Sequence, residues 1–247
     1  MPPLILTLEQ PLILLGVAVL AVFAGFIRGF TGFGGPALMI VALTLFFAPG
    51  SVAGKVLIMD LLANVNLARA AMREANLRDV CILSVSTLVG VPLGLIALLN
   101  LDDRVMQDVL GVTTLIAATV LTFGWRLRKP PNVPLLIVAG FVGGVIATAT
   151  GVALLMVAFF FSGPAATALS RANAILWLFL ITGVVIGSYV YGGLLTLDDI
   201  WRSGLIGLFY LSGSFLGARV FVASAEATVR KAAIWLLFAL ALIGVVS

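Results

Sequence analysis

Apolar residues run through this sequence in long blocks separated by short polar or Gly/Pro clusters. Ten segments stand out, at residues 11–30, 36–48, 55–72, 80–99, 105–126, 135–149, 151–162, 168–190, 200–222 and 227–246. A bilayer core about 30 Å thick needs about 20 apolar residues of helix. Two segments, PALMIVALTLFFA and VALLMVAFFFSG, run about a dozen residues, roughly 18 Å of helix, and are too short to cross unaided. Each is therefore predicted to be half of a broken or re-entrant element. The fold class that follows is an all-α integral membrane protein.

Breaks flank both short segments. Gly32, Gly34, Gly35 and Pro36 interrupt the run before the first, and Pro49–Gly50 closes it. The second is entered through Gly143, Gly144 and a Thr/Ala/Gly stretch and closed by Gly163–Pro164. Irregular backbone at membrane depth is tolerated only where protein or an aqueous cavity satisfies its polar groups. The glycines Gly90, Gly94, Gly213 and Gly217 instead read as close-packing positions between helices. Residues 24–50 (AGFIRGFTGFGGPALMIVALTLFFAPG) and 139–165 (AGFVGGVIATATGVALLMVAFFFSGPA) match in order, pairing Gly29 with Gly144 and Pro49 with Pro164. GVPLG at 90–94 likewise parallels GSFLG at 213–217. The chain is thus expected to be one membrane domain, 1–247, holding a first repeat at 11–126 and a second at 135–247. The polar linker RLRKPPNVP at 126–134 joins them.

Five segments per repeat is an odd number, so the second copy must enter the membrane from the opposite face. Ten segments place Arg69, Arg73, Arg78, Arg126, Arg128, Lys129, Arg171, Arg219, Arg230 and Lys231 on one side and Lys55, Arg104 and Arg202 on the other. By the positive-inside rule the first side is cytoplasmic, with both termini outside a bacterial inner membrane. MPPLILTLEQ has no basic n-region, so a cleaved signal peptide is not expected.

Composition narrows the chemistry. Of 247 residues, 62% are hydrophobic and 10% charged, with mean hydropathy +1.26, too apolar for a water-soluble globule. There is no histidine, and Cys81 is the one cysteine. That removes zinc clusters, internal disulfides and Ser/His or Cys/His nucleophile pairs; composition alone leaves a Ser/Lys pair open, and no enzyme, metal or cofactor is expected. The net charge of +4 is scattered singly between apolar runs and marks topology, not nucleic-acid binding.

Inverted repeats with paired broken helices point to a secondary transporter whose site lies between the copies. Helix N-termini facing a cavity offer unpaired N–H groups and a positive dipole end, which suit an anion. Gly34, Gly35 and Pro36 are expected to open one such end, and Thr148, Thr150 and Gly151 the other. Ionisable residues within spans are candidates by default. Arg28 is an anion ligand or a snorkelling arginine. Lys55 and Arg171, each following a closing proline, form a charged clamp or serve topology. Asp60 is the candidate proton carrier, the alternative being a static ion pair to Lys55 or Arg28. Asn64 and Asn173 are candidate polar ligands; Asn173 serves equally as interhelical glue. Asp102, Asp103, Asp198 and Asp199 read as helix N-caps. Trp125, Trp177, Trp201 and Trp235 include three near predicted span ends, as in an aromatic belt. Small-residue faces at Gly204, Gly207 and 213–217 pack within the chain or in a homodimer.

The GFTGFGGPALMIVAL stretch, its degenerate second copy, the closing prolines and the basic residues that follow them resemble the sulfite exporter TauE/SafE family over essentially the whole chain. The second copy departs from the glycine-rich form, with ATATG where the first has GFGGP. The resemblance implies export of sulfite or a small organosulfonate across a bacterial inner membrane, linked to protons. The combined expectation is an alternating-access exporter of a small anion, a dianion or its protonated form. A passive anion channel and a non-transporting assembly subunit are the competing classes.

Overall fold

The structure is a computed structural model and describes residues 11–44, 46, 47, 49–122, 127 and 129–222. All regular structure among them is helical, in nine helices: α1 (Pro11–Thr31), α2 (Gly35–Thr44), α3 (Pro49–Ala71), α4 (Leu77–Asn100), α5 (Asp103–Thr122), α6 (Val133–Thr150), α7 (Leu154–Phe161), α8 (Thr167–Tyr191) and α9 (Leu197–Val222). The predicted segment 227–246 lies outside the described residues, as do Trp125, Trp235, Arg126, Arg128, Arg230 and Lys231. Five helices (α1, α4, α6, α8 and α9) are long and apolar enough to cross a membrane, so the protein is a multi-pass membrane protein. The α2 helix has ten residues and α7 eight, about 15 Å and 12 Å, so both short segments stay short.

Local chemistry fixes the boundaries. Asn76 caps α4 by accepting the Asp79 N–H at 3.3 Å, and Asn132 caps α6 by accepting that of Leu135 at 3.1 Å. At the start of α9 the Thr196 hydroxyl accepts the Asp199 N–H at 3.2 Å. The Asp199 carboxylate in turn accepts the Thr196 N–H at 3.0 Å, a reciprocal capping box in which Thr196 and not an aspartate is the N-cap, while Asp198 pairs with Arg202 at 2.8 Å.

The two most extensive helix interfaces are α1 with α9 and α4 with α6. In both, glycine rows bring backbone against backbone. Gly213 and Gly217 face the Val22 and Phe26 carbonyls, while Gly90 and Gly94 face those of Phe141 and Val145. Returning the contact, Gly25 faces the Tyr210 carbonyl and Gly144 that of Thr87. Residue numbers rise together along each pair, so both pairs are parallel. Apolar surface alone gives helices no reason to associate in lipid, and small residues that permit close approach supply the packing instead. The outward faces of these helices carry exposed Val19, Phe23, Val89, Leu93, Leu208 and Leu216, as a lipid-facing surface requires.

The sequence match set Gly144 against Gly29, but in its helix contacts Gly144, facing the Thr87 carbonyl, corresponds to Gly25, which faces that of Tyr210. Nor do Gly143 and Gly144 form a break; both lie within α6, and the chain breaks at Gly151. Gly207 packs against Leu62 and Met59 within the chain, whereas Gly204 meets open space.

Candidate functional site

Two chain breaks with the same hydrogen bonding frame the site. At the end of α1, the Thr31 hydroxyl lies 2.8 Å from the Ile27 carbonyl and 2.6 Å from that of Phe33, and accepts the Phe33 N–H at 3.2 Å. At the end of α6, the Thr150 hydroxyl lies 2.8 Å from the Ile146 carbonyl and 3.2 Å from that of Val152, and accepts the Val152 N–H at 3.1 Å. Gly32 and Gly151 follow with φ of 86° and 71°, the left-handed region that glycine enters without steric cost. The chain leaves each helix through a hydroxyl-braced turn and starts a short helix a few residues later.

The two breaks meet at one cavity of about 40 Å³, room for roughly three water-sized groups. Gly34, Pro36 and Ala37 from the start of α2, and Ala153 and Leu154 from the start of α7, line it together with Arg28 and Asp60. Leu57, Ala147, Val157, Leu178, Ile181 and Val185 make most of the wall apolar, with Thr182 adding one hydroxyl. The first N–H groups of each short helix have no partner within that helix. Both short helices therefore direct positive dipole ends at the same small space.

One wall carries a buried ion-pair cluster. The Arg28 Nε donates to Asp60 Oδ1 at 2.8 Å, and its Nη2 donates to the Asn64 side-chain oxygen. Asn64 and Tyr210 donate to the two Asp60 oxygens, each at 2.8 Å. Arg28 and Asn64 are 0% exposed, Asp60 1% and Tyr210 0%. An arginine buried to this degree is not snorkelling. Its Nη1 has no hydrogen-bond partner among the described residues, and an unmet buried donor on a charged group is costly. Gly35 lets this cluster close up, because a Cβ there would run into the Tyr210 hydroxyl, the Ala24 carbonyl and the Arg28 side chain.

Of the sequence-predicted residues, Arg28, Gly34, Pro36, Asp60 and Gly151 thus line the cavity, with Gly35 and Asn64 directly behind Arg28, Gly34 and Asp60. Asp60 pairs with Arg28 and not with Lys55. The others stand elsewhere. Thr148 and Thr150 do not open the second short helix; they close α6. The Thr150 hydroxyl braces its turn, and the Thr148 carbonyl accepts from the buried Tyr189 hydroxyl at 2.5 Å. The Thr148 hydroxyl is buried without a partner among the described residues. The donors at this break belong instead to the start of α7.

Lys55 turns toward the beginning of α9, donating to the Ser51 carbonyl at 2.7 Å and pairing with Asp199 at 3.3 Å. Arg171 sits near the other end of α9, donating to the Gly29 carbonyl at 2.8 Å and covering the Phe221 ring at 3.8 Å. Asp199 and Phe221 are separated by roughly 33 Å of helix, so Lys55 and Arg171 do not close on one anion. Asn173 accepts the Asn76 N–H at 2.7 Å beside a separate cavity, and so joins α8 to α4.

Sequence reading missed Tyr210, Thr182 and the α7 donors. A signal for Tyr210 existed: the GVPLG/GSFLG match puts Tyr210 opposite Thr87, a helix turn before the paired glycines. Thr87 lies between the Gly140 carbonyl, 2.9 Å away, and the Trp177 ring N–H that it accepts at 3.2 Å. Trp177 is fully buried, while Trp201 is exposed as an aromatic belt expects.

A scan against family models matches residues 17–243 to the sulfite exporter TauE/SafE family. Comparison with curated proteins and with solved structures found no match. That family comprises membrane transporters of sulfite and sulfonates and not enzymes. With nearly its whole length covered, this chain belongs to the sulfite exporter TauE/SafE family.

Proposed function

We propose that the chain exports a small sulfur oxyanion by alternating access, binding it in the cavity where α2 and α7 begin. The reading rests on one observation above all: Arg28, whose Nη1 is a buried donor without a partner among the described residues, lines a cavity toward which two helix N-termini converge. Anions satisfy all three groups at once. Backbone donors of Gly34 and Gly35 serve the oxyanion from one side, and those of Ala153 and Leu154 from the other. Asp60 holds Arg28 in place and is the proton-linked group in this reading. A proton on its carboxyl leaves the guanidinium charge to the anion, and its loss draws that charge back.

Alternating access follows from two inverted repeats in one membrane domain. The parallel pairings of α1 with α9 and of α4 with α6, each joining the first helix of one half to the fourth of the other, support that arrangement. Rocking one half against the other about the cavity would expose it to each side in turn. Both termini stand outside a bacterial inner membrane in this orientation. The inside-negative potential then favours anion exit by about 2.3 kcal/mol per charge per 100 mV.

Purified protein in vesicles preloaded with sulfite tests this. Saturable efflux above that of protein-free vesicles is expected, with the pH dependence lost in Asp60→Asn. Efflux no faster than the protein-free leak overturns transport by this chain, and unchanged pH-dependent flux in Asp60→Asn removes Asp60 as the proton carrier.

A further inference from the structure

We propose that Arg171 and Tyr189 are positioning residues for the transport site: from the two ends of one face of α8 they hold the turns that aim the α2 and α7 N-termini at the cavity. This rests on the transport reading above for what is aimed, and adds the residues that do the aiming. In an unbroken helix the Phe33 N–H would bond to the Gly29 carbonyl, four residues back, and the Val152 N–H to that of Thr148. Neither does. The Phe33 N–H goes to the Thr31 hydroxyl at 3.2 Å, and the Val152 N–H to the Thr150 hydroxyl at 3.1 Å.

Each turn thus takes the ordinary donor from one carbonyl of its own helix, two residues before the threonine. A buried carbonyl needs a partner. Both carbonyls find theirs on α8: Arg171 Nη2 donates to that of Gly29 at 2.8 Å, and the Tyr189 hydroxyl to that of Thr148 at 2.5 Å. Eighteen positions separate Arg171 from Tyr189, five full turns and about 27 Å of helix, so the two side chains leave α8 on the same face. Leu178, Thr182 and Val185 lie on that face between them and line the cavity.

Neither Arg171 nor Tyr189 lines the cavity itself, so each acts through the turn it holds. Tyr189 is fully buried. The Arg171 stem crosses Gly32, where a Cβ would run into its Cγ and Nε, and its guanidinium covers the Phe221 ring at 3.8 Å. These contacts direct one arm of the arginine to Gly29. Loss of either tie strands a carbonyl inside the protein and frees the turn, and with it the start of the short helix that follows. Donors held loosely bind an anion less well than donors fixed in place.

Two measurements on the full-length protein test this: the KM for sulfite efflux from vesicles, and amide hydrogen exchange across residues 32–40 and 151–158 without substrate. Tyr189→Phe removes one oxygen and keeps the ring. It is expected to speed exchange at 151–158 alone and to raise KM about two- to tenfold, with the maximum rate retained. Arg171→Met should act likewise at 32–40 alone, and Arg171→Lys, which keeps a donor and the charge, should restore both values. Unchanged KM or unchanged local exchange in Tyr189→Phe overturns the proposal, since a merely structural role lowers the amount of folded protein and not the affinity of what folds. A KM rise in Arg171→Met with parental exchange at 32–40 makes the arginine a distant charge and also overturns it. If Arg171→Met does not fold, Tyr189→Phe decides. Absence of saturable efflux from the parent overturns the transport reading, and the aiming role with it; failure of the ties alone shows instead as parental efflux with variants identical to the parent.

Discussion

The two breaks share a backbone but not a chemistry. Thr31–Gly32–Phe33 and Thr150–Gly151–Val152 carry the same hydroxyl-braced turn, and the same glycine contacts seat α1 on α9 and α6 on α4. Where the first break has Arg28 three residues before its threonine, the second has Ala147. Where Tyr210 meets Asp60, the matching Thr87 meets Trp177. One side is a hydrogen-bonded ion pair; the other is a tryptophan on a hydroxyl. Together the two breaks bring two helix N-termini to one cavity. Charge is needed once, because a second buried guanidinium or carboxylate would require its own compensation.

The sharpest way to break this comparison is to remove the charge where it exists. Arg28→Met leaves Asp60 buried with two neutral donors, and loss of one member of a buried pair costs on the order of 3–5 kcal/mol. A marked fall in unfolding temperature in detergent and loss of sulfite efflux are expected. Arg28→Met combined with Asp60→Leu removes both charges. It should regain most of the stability while transport stays absent, separating the fold's need for a pair from the substrate's need for a donor. Efflux from the double variant would place the anion elsewhere.

The shared frame responds differently. Gly25→Val and Gly144→Val each drive a side chain into a facing carbonyl, that of Tyr210 or of Thr87. Overpacking at close contacts costs about 1–3 kcal/mol. The two losses in thermal stability should be alike, since the packing is the same on both sides. A large loss from one and none from the other would show the interfaces to be unequal.

How much of this was legible follows the same division. Apolar run lengths located the helices, including both short ones, because a bilayer imposes a length and excludes charge. Gly34 and Arg28 were legible because glycine and a charged residue inside an apolar run each need a reason. The second break was located at Gly151 but extended back to Gly143 and Gly144, since a packing glycine and a turn glycine look alike in sequence; only φ and the facing atoms distinguish them. Lys55 and Arg171 read as a paired clamp because hydropathy gives depth in the membrane and not the direction of a long side chain. Tyr210 was passed over because tyrosine is ordinary in a span, and its role exists only once α9 lies against α3.

Tyr210→Phe against Thr87→Val is a finer probe of the contrast. Each substitution removes a hydroxyl and leaves a neighbour short of one bond, Asp60 in the first case and the Trp177 ring N–H in the second. Hydrogen bonds to charged groups contribute about 1.5–3 kcal/mol and neutral ones about 0.5–1.5. Tyr210→Phe should therefore cost more stability and also lower transport, because Asp60 positions Arg28. Thr87→Val should lower stability slightly and leave efflux near that of the parent.

The smallest effect is expected at Lys55. Its ammonium lies between the Ser51 carbonyl and Asp199, directed along α3 away from the cavity toward the first turn of α9. Asp199 keeps two other donors in its capping box with Thr196, at 3.0 and 2.7 Å, so losing the lysine does not strand it. A neutral, similarly sized Lys55→Met should leave the KM for anion efflux unchanged. Any modest fall in rate should be reproduced by Asp199→Asn, which breaks the same tie from the other side. A raised KM in Lys55→Met alone would return the lysine to the substrate path and make the anion site a two-cation site, against the contrast between a charged first half and an apolar second.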